Sequence, residues 1–146
     1  MNNKILQLQP KSQLQKLHLP FTGENKFIVS SSNCHEIISK NDVVYISSDS
    51  NYSHIYFLNR KPILCSKTLK LFAIFLEPLG FWRIHQKYLV NPDYLLRLAC
   101  SDGMYAEMKG GAKLNVSRAK RKQTRQNLFE KFKLVDSESQ LHANIL

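Results

Sequence analysis

Several things that would announce a chemistry are missing from this chain. It has no CxxC pair, no HExxH, no GxSxG, no phosphate-binding glycine loop and no GxGxxG, so the common zinc, hydrolase and nucleotide signatures find no foothold. Cys34 and His35 are adjacent but have no second pair at comparable spacing, and five scattered histidines form no ligand set. We expect no metal, no cofactor and no enzymatic activity. Only three cysteines occur, Cys34, Cys65 and Cys100. That odd, widely spaced set suits reduced thiols packed as small hydrophobes rather than a disulfide framework. No apolar run approaches bilayer length, and the opening "MNNKILQLQPKSQLQKL" lacks the apolar block of a signal peptide. A cytoplasmic protein with no membrane partner is the expectation.

Acid is also scarce. Eleven Asp and Glu face 21 Lys and Arg, a formal net charge of +10, which favours phosphate-rich or anionic partners without choosing among them. The excess is concentrated: between Lys109 and Lys133 lie nine basic residues opposed by Glu130 alone. With 43% hydrophobic residues in 146, the chain is able to fill one core.

Residues 1–25, rich in Gln, Lys and Leu and broken by Pro10 and Pro20, read as a leader or arm. From Lys26 come short segments of β-branched and aromatic residues separated by polar breaks: "KFIVS", "HEIIS", "DVVYIS", "YSHIYFL" and "PILCS". Their close spacing predicts antiparallel hairpins, with His54 facing away from Ile55 and Phe57. "SKTLKLFAIFLEPLG" switches to helical spacing at Leu69, Phe72, Leu76 and Leu79, with Ser66 as N-cap, Gly80 as terminator and Pro78 distorting the last turn or stopping the helix early. "FWRIH", "YLLRLA", "GMYAEM" and "AKLNV" resume the sheet, with turns at "SDG" and "KGGA". Ser117 then caps a closing helix, "RAKRKQTRQNLFEKF", on which Arg118, Arg121, Lys122 and Arg125 share a face and Leu128, Phe129 and Phe132 are buried. A cationic run is often only a solvated helix face. Here it starts at a helix N-terminus, whose free N–H groups also attract phosphate.

Four blocks then fall into one pattern. "FWRIHQKYLVNPDYLLRL" resembles the signature of the LytTR DNA-binding domain, roughly F-F-R-x-H-R-S-Y-L-V-N-x-x-Y-I, with Phe81, Arg83, His85, Tyr88, Leu89, Val90, Asn91 and Tyr94 matching in order. "DVVYISSDSNYSHIYF", "SKTLKLFAIFL" and "LNVSRAKRKQ" resemble three further family segments. The likeness spans residues 26–133 and leaves 134–146 as a tail. It implies a mainly β fold, an elongated stack of small antiparallel sheets with one central helix and a short C-terminal helix, binding double-stranded DNA at paired direct repeats through loops in successive grooves. The family's base-reading positions correspond to His54, Gln86 and Arg118, with Tyr52 and Ser53 beside the first. Arg pairs bidentately with guanine, Gln with adenine, and His makes a single hydrogen bond. Lys87, Lys120, Arg121 and Lys122 suit phosphates; Arg83 is equally a phosphate contact or a surface charge. His85 is expected to hold the following loop, and Asn91 to form a turn.

Departures from the family pattern are Gln86 and Lys87 where Arg and Ser are usual, Asn115 for Pro, and Ser47-Ser48 for Glu-Ala; the first exchanges a guanine-type contact for an adenine-type one. The chain has no room for a receiver or membrane input, so a single-domain regulator is expected, with a homodimer on DNA and an upstream signalling partner. Two other readings stay open: an RNA-binding β domain stacking bases on Tyr52, Tyr56 and Phe57, and a protein-interaction module recruited through the leader.

Overall fold

A computed structural model describes residues 25–135; the leader, apart from its last residue, and most of the tail lie outside that range. The described residues build ten strands: β1 (Lys26–Ser30), β2 (His35–Ser39), β3 (Val43–Asp49), β4 (Tyr52–Phe57), β5 (Ile63–Cys65), β6 (Trp82–His85), β7 (Tyr88–Val90), β8 (Leu95–Ala99), β9 (Tyr105–Met108) and β10 (Lys113–Asn115). Among the described residues there are also two α-helices, α1 (Leu69–Leu76) and α2 (Arg121–Lys131), and several single 3-10 turns. All pairings are antiparallel, in sheets ordered β1-β2, β5-β4-β3-β7-β6 and β10-β9-β8.

The five-stranded sheet is the middle layer. One face, with Val43, Ile46, Ile55 and Leu89, packs under Leu69, Phe72, Ala73 and Leu76 of α1 and Val29 and Ile38 of the β1-β2 hairpin. On the opposite face Val44, Trp82, Ile84 and Val90 meet Met104, Ala106, Met108 and Leu114 of the three-stranded sheet region, with Leu128 of α2 against them. Strict alternation would not serve both cores. A register shift between Val43 and Tyr45 resets β3, so that Val44 and Tyr45 turn to the second core while Val43 and Ile46 stay with the first. A second shift between Arg83 and His85 does the same for β6.

Helix α1 is shorter than its periodicity predicts. Thr68, not Ser66, holds the N-cap position, without a side-chain cap bond; Pro78 forces Glu77–Leu79 into a 3-10 turn, ended by Gly80 at φ 106°. Strand β7 was not predicted, because three residues between two polar turns give no periodicity to read. Of the cysteines only Cys65 is buried; Cys34 and Cys100 are exposed, correcting the expectation that all three pack as hydrophobes.

Asn91 is a turn-former and more. Almost fully buried, it donates from Nδ2 to the carbonyls of Val43 (2.9 Å) and Lys40 (3.2 Å) and accepts at Oδ1 from the Asp93 N–H (3.1 Å). It thereby ties the end of β7 to the start of β3, and the Tyr94 hydroxyl, donating to the Asn41 carbonyl at 2.6 Å, braces the same joint. Asn91→Ala strands these buried partners and should destabilise the domain by roughly 2–3 kcal/mol, read as a lower denaturation midpoint at unchanged slope.

Candidate nucleic-acid interface

Three loops converge at one end of the five-stranded sheet. Paired positions make a row across it: Leu64 on β5, His54 on β4, Ser47 on β3, Tyr88 on β7 and His85 on β6. At about 4.8 Å per strand, His54 and His85 stand roughly 14 Å apart. The row lies on the second-core side, one step beyond the row where Trp82 and Val90 are buried. Its members His54, Ser47, Tyr88 and His85 are half-buried rather than sealed. Behind His54, 6.1 Å between ring centres, Tyr56 stacks on Tyr45 at 4.3 Å.

The β6-β7 loop carries Gln86 and Lys87, both exposed. Its backbone is pinned from several sides: the Ser48 N–H donates to the Lys87 carbonyl (2.9 Å), the Lys87 N–H to His85 Nδ1 (3.0 Å), and Arg83 to the carbonyls of His85 and Gln86. The loop-holding role expected of His85 is what the geometry has.

The third element follows β10. The Val116 N–H reaches the Met104 carbonyl (2.8 Å) and the Ser117 N–H the Ile84 carbonyl (2.9 Å), which docks the 3-10 turn Arg118–Lys120 against β6. Arg118 is exposed at its start. Ser117 occupies the N-cap position of this turn, not of a long helix, and makes no side-chain cap bond; α2 itself begins at Arg121. Between turn and loop lies a groove of about 470 Å³ lined by Arg83, His85, Gln86, Ser117, Ala119 and Lys120.

Helix α2 packs through Arg121, Thr124 and Leu128. Thr124 is buried and donates from Oγ1 to the Lys120 carbonyl (2.7 Å). Phe129 and Phe132 remain exposed, contrary to the amphipathic reading. The expected cationic face therefore splits: Lys122 and Arg125 look outward, whereas Arg121 turns inward, its Nη2 3.8 Å from where a side chain on Gly103 would begin and its Nε buried without a hydrogen-bond partner.

Three expected contacts thus change role. Ser53 is fully buried, and its hydroxyl donates to the Lys67 carbonyl at 2.7 Å; alternation along β4 puts it on the first-core side, away from His54. Arg121 is a packed side chain. Arg83 is half-buried and spent on backbone carbonyls; burial pulls its guanidinium below the ordinary arginine value, an effect the Glu77 carboxylate opposes. Tyr52, His54, Gln86, Lys87, Arg118 and Lys122 stay accessible, and Lys120 lines the groove. The stacking platform of the RNA reading breaks up: Phe57 belongs to the first core, with Arg60 4.6 Å above its ring, while Tyr56 faces the other way against Tyr45. Sequence reasoning missed the Tyr45–Tyr56 stack, which depends on the register that the β3 bulge sets, and the Ser117–Ile84 joint, which joins segments far apart in the chain.

Comparison with protein families matches residues 33–129 to the LytTr DNA-binding domain. The chain belongs to the LytTR family of DNA-binding domains. That is a DNA-binding family and not an enzyme family. Among solved structures the LytTR fold is matched by a chain described as the LytTr DNA-binding domain of a methyl-accepting/DNA response regulator from Bacillus cereus, at a TM-score of 0.63 and 16% identity, covering 73% of this chain and 98% of that one. No curated protein matches it. Among the described residues no helix is long and apolar enough to cross a membrane, and no cluster of His, Cys, Asp or Glu has metal-binding geometry.

Burial, together with the neighbouring Tyr56 and Tyr88 hydroxyls and a hydrogen bond with Tyr56, pushes the Tyr45 phenol up to about 12 from 10.0. The unfolded chain therefore loses this proton first. Stability should be insensitive to Tyr45 below pH 10 and fall as pH rises from about 10 to about 12, a loss that Tyr45→Phe removes. Absorbance titration of tyrosinate should show a late-ionising ring that is missing from that variant.

Proposed function

We propose that this chain is a sequence-specific binder of double-stranded DNA acting as a transcriptional regulator, reading bases through Gln86 and Arg118 with His54 on the flank. The observation that carries the reading is the Ser117–Ile84 hydrogen bond, which seats the turn bearing Arg118 beside the loop bearing Gln86. Two exposed polar heads of different base preference flank one groove, and His54 lies in the same cross-strand row as His85, next to Gln86. A bidentate Arg selects guanine and a bidentate Gln adenine in the major groove. Lys87, Lys120 and Lys122 supply phosphate contacts that position without reading sequence. Paired direct repeats, bound by two copies, are the arrangement in keeping with the family resemblance.

Arg118→Ala should cost roughly 1–3 kcal/mol at one base pair and relax discrimination there. Lys122→Ala should weaken all duplexes alike and reduce the salt slope by about one. Duplexes selected from a random pool, then assayed with each variant by anisotropy across a salt series, check both. Equal losses on every sequence from both variants would remove the assignment. A preference for single-stranded RNA over duplex at fixed salt would replace it.

A further inference from the structure

The family-signature arginine reaches backward into its own hairpin instead of outward. From Arg83, Nε donates to the carbonyl of His85 at 2.9 Å and Nη2 to that of Gln86 at 2.6 Å. These are consecutive residues at the root of the loop, and the two bonds match the fixed fork of a guanidinium, which an ammonium does not reproduce. The Lys87 N–H, next along, is taken by His85 Nδ1. A backbone N–H only donates, so Nδ1 is the acceptor and the neutral ring carries its proton on Nε2. The Lys87 carbonyl in turn accepts from Ser48. Every backbone group from the His85 carbonyl to the Lys87 carbonyl that these bonds reach is held on the inner side, and what remains facing outward is the exposed side chains of Gln86 and Lys87.

We infer that Arg83 and His85 are positioning residues for base reading: together they clamp the β6-β7 loop so that Gln86 is presented to DNA in one conformation, and neither is itself a phosphate contact. The inference rests on the DNA-reading role assigned above to Gln86. It explains why a cation at the edge of a cationic face is half-buried and committed to two carbonyls. Pre-organising a contact residue gains affinity by removing the cost of ordering it on binding, and it sharpens discrimination because a mobile Gln settles for whichever edge it meets.

The test uses Arg83→Lys, His85→Ala and His85→Asn in the full chain. Asn is the rescue variant, because its side-chain oxygen accepts the N–H two residues on, as Asn91 does from Asp93 here. In DNA-free protein, Lys87 amide exchange should quicken in Arg83→Lys and His85→Ala and stay slow in His85→Asn. On the selected duplex, Arg83→Lys should lose about tenfold in affinity with an unchanged salt slope. In a Gln86→Ala background the same change should cost less than about twofold, since it acts through Gln86. A shallower salt slope with a full, additive loss in that background makes Arg83 a phosphate contact and overturns the inference, as does unaltered Lys87 exchange in the first two variants. If the wild-type chain shows no sequence preference among duplexes, the DNA-reading role fails on its own account, and Lys87 exchange still decides whether the clamp exists.

Discussion

The structure depends on a five-stranded sheet that must bury both faces with unlike partners. One face is covered by a helix and a hairpin, the other by a second small sheet. A regular strand of period two assigns alternate residues to each side, and that alternation runs into conflict where β3 needs Val43 and Ile46 on one side and Val44 with Tyr45 on the other. The bulge resolves the conflict. It also twists the strand locally, and with its counterpart in β6 it sets how the far row of the sheet, from His54 to His85, is presented beyond the edge of the second core.

The proposed DNA-reading end follows from that incomplete coverage. Where the second sheet stops, half-buried polar and aromatic residues replace the closed core, and the loops at the same end carry the exposed heads. The joint from Ser117 to Ile84 brings the C-terminal cations to this end. Without it, Arg118 would be one more charge on a solvated run, of the sort that contributes little by itself.

Cations in this region divide by burial. Arg83 and Arg121 belong to the same basic surroundings as Arg118 and Lys122, yet the first is spent on carbonyls and the second is folded against the β8-β9 turn at Gly103. Net charge alone makes all four equivalent. A guanidinium's several donors and weak hydration suit it to partial burial, and Arg83 uses two of those donors on backbone oxygens.

Much of this was legible in the chain. The strands from Lys26 to Cys65, α1 with its early stop at Pro78 and the turns at Gly103 and Gly110 follow from local steric rules, and the four signature blocks sufficed for the family. Local patterning misled where a short element or a packing choice had no local cause. Three-residue β7 has no period, Phe129 and Phe132 look ready for burial but stay exposed, and the alternation of Ser53 with His54 does not by itself say which of the two is buried. By itself the sequence determined the element types, the family and the supply of polar and cationic heads, because these depend on neighbours within a few positions. Only the tertiary structure decided which heads are buried and which exposed, because packing and hydrogen-bond partners are set by the folded neighbours and not by residue type, as Ile84 is for Ser117 and Lys67 for Ser53.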